Sequence, residues 1–207
     1  ASSYFWDFCA GGIGRTPTGV NLGNPGGQFS MPVFMDYVYS DGNYYGFTIN
    51  FNPGKLVRLN FGNSLLNTPT VTNLGNVGGV MPLLVEGIQM VQNEGKWYAI
   101  IVAGYDNQGL SPRLIKIDFG ANITNTTPVA TNWGNIGNLQ QPIDLHVFQE
   151  GDNWYGFTVN AENNTITRFN FTNSFENTPT AVNLGNIGNL AYPTGIYAVN
   201  DNNFWRV

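Results

Sequence analysis

Apolar and polar positions alternate along this chain in short runs, and none of them follows the 3.6-residue period of a helix. The runs LVRLNF (56–61), LIKIDF (114–119) and ITRFNF (166–171) have period two, as half-buried strands do. We term these strand C. YFWDF (4–8) lines up with them, so residues 1–31 read as the second half of a repeat. In the three full copies one face carries Arg58, Lys116 and Arg168, followed two residues later by Asn60, Asp118 and Asn170. That regularity suggests polar pairing along strand C, either solvated or between repeats.

Strand D follows in each unit, as RTPTGVNLGN, NTPTVTNLGN, TTPVATNWGN and NTPTAVNLGN. A proline inside a strand-like run marks an edge strand. The glycines that close these runs, Gly23, Gly75, Gly134 and Gly185, stand where a sharp turn requires positive φ. A second proline then opens the next unit: Pro32, Pro82, Pro142 and Pro193. Beyond it lie strand A (MDYVYS, GIQMVQ, DLHVFQ and GIYAVN), a turn of Asp, Gly and Asn, and strand B (YYGFTIN, WYAIIVA and WYGFTVN). Strand B is apolar on both faces and should be buried on both, with its Trp and Tyr column in the core.

Pro17, Pro69, Pro128 and Pro179 stand 52, 59 and 51 residues apart. Four short strands per unit of that length predict an all-β fold, a β-propeller of four-stranded blades. The division is 1–31 as a half repeat, 32–81, 82–141 and 142–192 as full repeats, and 193–207 as the start of a further one, about four blade equivalents in one propeller domain. Two readings of the ends follow. The final strands A and B close a four-bladed ring with the initial strands C and D, or the chain is a piece of a larger ring; an end in mid-strand favours the second.

Composition then narrows the function. Charged residues make up 10% of the chain and the net charge is -5. Eight scattered Lys and Arg residues form no basic stripe, so nucleic acid is not an expected partner. No apolar run approaches the length of a spanning helix, so no membrane insertion is expected. The single cysteine, Cys9, gives no intrachain disulfide and reads as a buried thiol. Sequons at Asn122, Asn125, Asn163 and Asn170 carry weight only in a eukaryotic secretory pathway.

The repeated pattern NFGNS(x)₂NTPTxxNLGN, then a proline, then GxWYGFxxN resembles repeats of secreted cell-surface proteins of gliding Bacteroidota. Asn60 to Asn76, Trp154 to Asn160 and Phe169 to Asn186 carry the resemblance. It implies a gliding-motility-associated surface propeller, exported by the type IX route within a longer chain that bears a sorting domain. It supplies no catalytic residues.

Candidate chemistry sits where the repeats differ. Asp36, Gln89, His146 and Tyr197 occupy one equivalent position of strand A. If strand A is innermost they line the central channel, either as a ligand or ion site or as polar residues that a wet channel tolerates. His146 is the only histidine, which rules out a multi-His metal site within one chain. Glu86 and Asp144 lie near the start of strand A, and Asp41, Asp152 and Asp201 in A–B turns suited to local backbone hydrogen bonds. The second repeat enlarges its B–C connection, GYDNQGLSP (104–112), which places Tyr105, Asp106, Asn107 and Gln108 at a rim. No cofactor is expected. The leading expectation is a non-enzymatic extracellular or cell-surface adhesin, scaffold or ligand-display module whose partner is a surface glycan or another surface protein. The alternatives are a carbohydrate-binding propeller lectin and a channel-centred propeller hydrolase or lyase.

Overall fold

In the computed structural model each full repeat folds as one four-stranded antiparallel sheet. Residues 3–7, 18–105 and 111–207 are described; Cys9 and the loop residues Asp106, Asn107 and Gln108 lie outside them. Blade one comprises β3 (Pro32–Ser40), β4 (Asn43–Asn50), β5 (Lys55–Gly62) and β6 (Thr70–Gly75), hydrogen-bonded in chain order. Blade two repeats this with β7 (Val85–Asn93), β8 (Lys96–Ala103), β9 (Arg113–Gly120) and β10 (Val129–Gly134). Blade three does so with β11 (Pro142–Glu150), β12 (Asn153–Asn160), β13 (Thr165–Thr172) and β14 (Thr180–Gly185). Two strand pairs flank them: β1 (Ser3–Asp7) with β2 (Thr18–Gly23), and β15 (Val199–Asp201) with β16 (Phe204–Arg206). The chain is an all-β propeller array. In the last unit the strand expected over 195–200 is confined to 199–201, so 195–198 run past β11 outside any ladder.

The punctuation of each unit has a physical cause. Gly23, Gly75, Gly134 and Gly185 have φ between 69° and 80°, a region that side chains rarely adopt. The asparagine after each of them clamps the next loop with two bonds. Asn76 Nδ2 donates to the Met81 carbonyl at 2.7 Å and its Oδ1 accepts from the Met81 N–H at 2.9 Å. Asn24 pairs in the same way with Phe29, Asn135 with Leu139 and Asn186 with Leu190. The Asn-Leu-Gly-Asn signature is therefore a connector whose amide replaces a missing backbone ladder.

Strands A are innermost: β3 and β11 both flank β7. At Gly87 the approach is so close that a Cβ would lie 2.9 Å from the Ile143 carbonyl oxygen and 3.0 Å from the Leu145 nitrogen. Burial follows the expected pattern in blade two, whereas Tyr44 of β4 and Trp154, Tyr155 and Phe157 of β12 are half-buried. Tyr98, Ile100 and Ile101 of β8 are fully buried, as are Phe47 and Ile49 of β4. Phe47 meets Phe119 of the next blade edge-on at 5.3 Å between centroids, so aromatic packing joins the blades.

The basic column of strand C follows the between-repeats alternative in blades one and two. Arg58 and Lys116 do not pair along their strands; both are 6% exposed and reach into the following blade. Arg58 Nη1 donates to the carbonyls of Ile123 (2.9 Å) and Asn125 (3.1 Å). Lys116 Nζ donates to the Phe175 carbonyl at 2.9 Å and contacts Glu176 Oε2 at 3.1 Å. Asn60, Asp118 and Asn170 instead accept from the backbone N–H two residues on, shaping the C–D turn.

Candidate functional site

The four strand A residues do surround one axial cavity. Asp36, Gln89, His146 and Tyr197 line it together with Asp144, and its volume is about 350 Å³. Their polar atoms are nevertheless engaged with the neighbouring blade. Asp36 Oδ2 accepts from the Met90 N–H at 2.7 Å, and its Oδ1 from the Tyr37 N–H at 2.8 Å. Gln89 takes both backbone groups of Val147, accepting its N–H and donating to its carbonyl. His146 hydrogen-bonds the backbone of Ala198. Each side chain grips the residue one past its own equivalent in the next unit. The ring is thus a series of inter-blade latches, and only Tyr197, 69% exposed and 4.1 Å from the His146 ring, presents a free surface.

Asp144, two residues before His146, repeats the device: its Oδ2 accepts from the Ile196 N–H at 2.9 Å and its Oδ1 from the Leu145 N–H. Burial raises the pKa values of Asp36 and Asp144, although these amide donors and His146 oppose the rise. Burial likewise lowers that of His146, against the attraction of Asp144 and Asp36. Carboxylates that accept two backbone N–H groups already spend much of their hydrogen-bonding capacity on structure.

A second cavity, of about 270 Å³, lies where strands A begin. Its walls are Phe51, Leu84, Glu86, Gly104, Tyr105 and Gln141. Phe51 and Gly104 follow strands β4 and β8, Glu86 opens β7 and Gln141 precedes β11, so blades one, two and three all contribute. The backbone here is held in an unusual way. Met31, Leu84, Gln141 and Tyr192, one per unit, have φ of 49° to 61°, which costs about 1 kcal/mol or more for a residue bearing a Cβ. Their carbonyls repay part of this: Phe51 N–H donates to Met31, Gly104 N–H to Leu84 and Ala161 N–H to Gln141.

Two groups in this cavity lack partners. Burial pushes the Glu86 carboxyl up to about 7, and no hydrogen bond involves it among the described residues. Gln141 donates through Nε2 to the Tyr192 hydroxyl at 3.1 Å, while its Oε1 is buried without a partner. Tyr105, from the enlarged B–C connection of the second repeat, stands on the wall. Gln141 and Phe51 carry no sequence signal. Glu86 does carry one: it occupies the strand A position held by Val33 and Ile143 in the flanking repeats.

No family model and no curated protein matches the sequence. Solved structures do share the fold. The catalytic domain of Coprinopsis cinerea GH62 alpha-L-arabinofuranosidase is 17% identical, with 72% of this chain aligned and a TM-score of 0.49; the chain spans half the length of that domain. The GH43_1 enzyme from Xanthomonas citri is 12% identical over 73% of this chain, with a TM-score of 0.40; its complex with xylotriose gives 0.37. These are likenesses of fold. They nonetheless correct one expectation: these structures are of glycoside hydrolases, and the reading as a non-enzymatic adhesin or scaffold is withdrawn.

Proposed function

We propose that this chain is a carbohydrate-binding propeller and that its sugar seat is the cavity walled by Phe51, Glu86, Tyr105 and Gln141. The observation that carries the reading is the Glu86 carboxyl, which has no hydrogen-bond partner among the described residues and lines a space that two aromatic side chains also line. A sugar ring offers hydroxyl groups for the Glu86 carboxyl and apolar C–H faces for Phe51 or Tyr105. About 270 Å³ lies just below the range of drug-sized sites and suits a single ring. A glycan array followed by calorimetry tests this. The wild type should bind at least one neutral saccharide, and Tyr105→Ala and Gln141→Ala should each weaken it about tenfold, the scale of one lost polar or stacking contact. No binding across the array, or binding by both variants as tight as that of the wild type, overturns the reading.

Burial of the Glu86 carboxyl in the cavity wall, which pushes it up to about 7, favours a second reading: it protonates a glycosidic oxygen as the C–O bond breaks, the aglycone leaves as the alcohol, and a water adds to the anomeric carbon and releases its proton to solvent. Glu86→Gln should then abolish release of the aglycone from chromogenic glycosides while leaving binding intact. A wild type that releases none removes this reading and leaves the first in place.

A further inference from the structure

The carboxylates of this chain differ in how their charge is met. Glu176 accepts from Lys96 Nζ at 2.7 Å, Lys116 Nζ at 3.1 Å and the Tyr98 hydroxyl at 3.0 Å, and these donors pull its carboxyl down to about 2. Asp36 and Asp144 each accept two backbone N–H groups. Glu86 has neither kind of donor among the described residues, and burial alone moves its carboxyl upward.

The backbone fixes Glu86 where it stands. It falls with Gly87 in the register shift between Val85 and Ile88, a bulge that takes both out of the regular alternation of β7. Gly87 is pressed against the Ile143 carbonyl and the Leu145 nitrogen of β11, so this part of β7 has no room to shift. The remaining walls of the cavity are Phe51, Leu84, Gly104, Tyr105 and Gln141, which bring no acidic or basic side chain other than the Tyr105 phenol. The cavity therefore holds a carboxyl with no cation opposite it.

A carboxyl taken out of water without a counter-charge is held as the neutral acid. A sugar hydroxyl can bond it but leaves that cost in place. An ammonium group brings hydrogen-bond donors and the missing positive charge together, and charge-assisted bonds of this kind are the strong ones. Phe51 and Tyr105 line the same space, and the faces of aromatic rings attract cations. A ligand carboxylate would instead meet Glu86 as a like charge.

We infer that Glu86 makes this cavity selective for an amino sugar, whose free amine, bound as ammonium, supplies the absent counter-charge. The inference rests on the reading of the cavity as a sugar seat and adds the class of sugar: cationic, in preference to neutral or acidic. Glu86 is then the residue that determines specificity.

Calorimetry on the full chain at about pH 6 tests this with glucose, glucosamine, N-acetylglucosamine and glucuronate, and with the same forms in the galactose series. In at least one series the amine should bind about tenfold or more tighter than the hydroxyl form. Acetylation of the amine should cancel that gain, and the uronate should bind most weakly. Repeating the titration in buffers of different ionisation enthalpy should show most of a proton released on binding the amine, because Glu86, near 7 when free, ionises to pair; the neutral sugar should release none. Glu86→Gln, its fold checked by circular dichroism, should bring the amine within about threefold of the hydroxyl form and abolish the proton release. An amine that binds no tighter than the hydroxyl form in either series overturns the inference, and leaves the sugar seat standing where a neutral sugar binds. No binding by any sugar, here or on the array, overturns both. A preference that persists in Glu86→Gln overturns the role of Glu86, and Nα-acetyl-lysine amide bound as tightly as the amino sugar overturns the sugar class.

Discussion

Replacing Arg58 by methionine isolates the device that joins the blades. Methionine keeps most of the side-chain bulk and removes both bonds from Nη1, at 2.9 and 3.1 Å, to the Ile123 and Asn125 carbonyls. A hydrogen bond to a charged donor contributes about 1.5–3 kcal/mol, and a buried carbonyl left unpaired costs a further fraction of that. Against this, the variant no longer buries a charge, which returns part of the loss. A net destabilisation of about 3 kcal/mol follows. Arg168→Met is the internal control, since Arg168 is exposed and makes no such bond; it should change stability by less than about 0.5 kcal/mol. Urea unfolding at fixed pH reads both. With a slope of about 2 kcal/mol/M the Arg58 variant should lose about 1.5 M from its midpoint while the slope is kept. An Arg58 variant as stable as the wild type, or two variants with equal losses, would refute the inter-blade latch.

Three further outcomes follow from named contacts. Gly137→Ala should destabilise by about 2 kcal/mol, because its Cβ would lie 2.6 Å from Thr167 Cγ2 and 2.8 Å from Ala181 Cβ at φ 73°; the thermal midpoint should fall by about 4–8 °C, and an unchanged midpoint would contradict that packing. Glu86 has a folded-state pKa near 7, above its unfolded value near 4.5, so its contribution to stability is complete below pH 4.5 and fades as pH rises through 7; Glu86→Gln should remove that decline, and an unchanged pH profile would count against the buried carboxyl. Lys96, Lys116 and Tyr98 hold the Glu176 carboxyl well below the usual range, so Glu176→Gln should lose the part of wild-type acid sensitivity that appears below pH 4.5, as followed by acid titration of the folded fraction.

The repeat made the architecture legible in sequence. A period near fifty, proline at each entry and glycine at each turn placed strands C, D, A and B in all three full blades. The channel position of Asp36, Gln89, His146 and Tyr197 was legible for the same reason, since residues at one register of innermost strands must share an axis. Their use was not. Arg58 and Ile123 are 65 residues apart and Gln89 and Val147 are 58 apart, and alternation within a strand says nothing about which neighbour a polar tip will reach. The Glu86 cavity was hidden for a related reason. Its walls come from the ends of β4 and β8 and the starts of β7 and β11, so Phe51 and Gln141 gain meaning only when three blades meet. A carboxyl where the flanking repeats carry Val33 and Ile143 was the trace it left in the sequence.

The sugar seat is tested most directly by amide NMR of the labelled chain, titrated with the saccharide that binds best on the array. The account predicts shifts that saturate and centre on Phe51, Leu84, Glu86, Gly104 and Tyr105, while the amides of Met90 and Val147, held by the axial latches, stay unmoved. Shifts centred on the axial ring around His146 and Tyr197, with the Glu86 cavity silent, would contradict it.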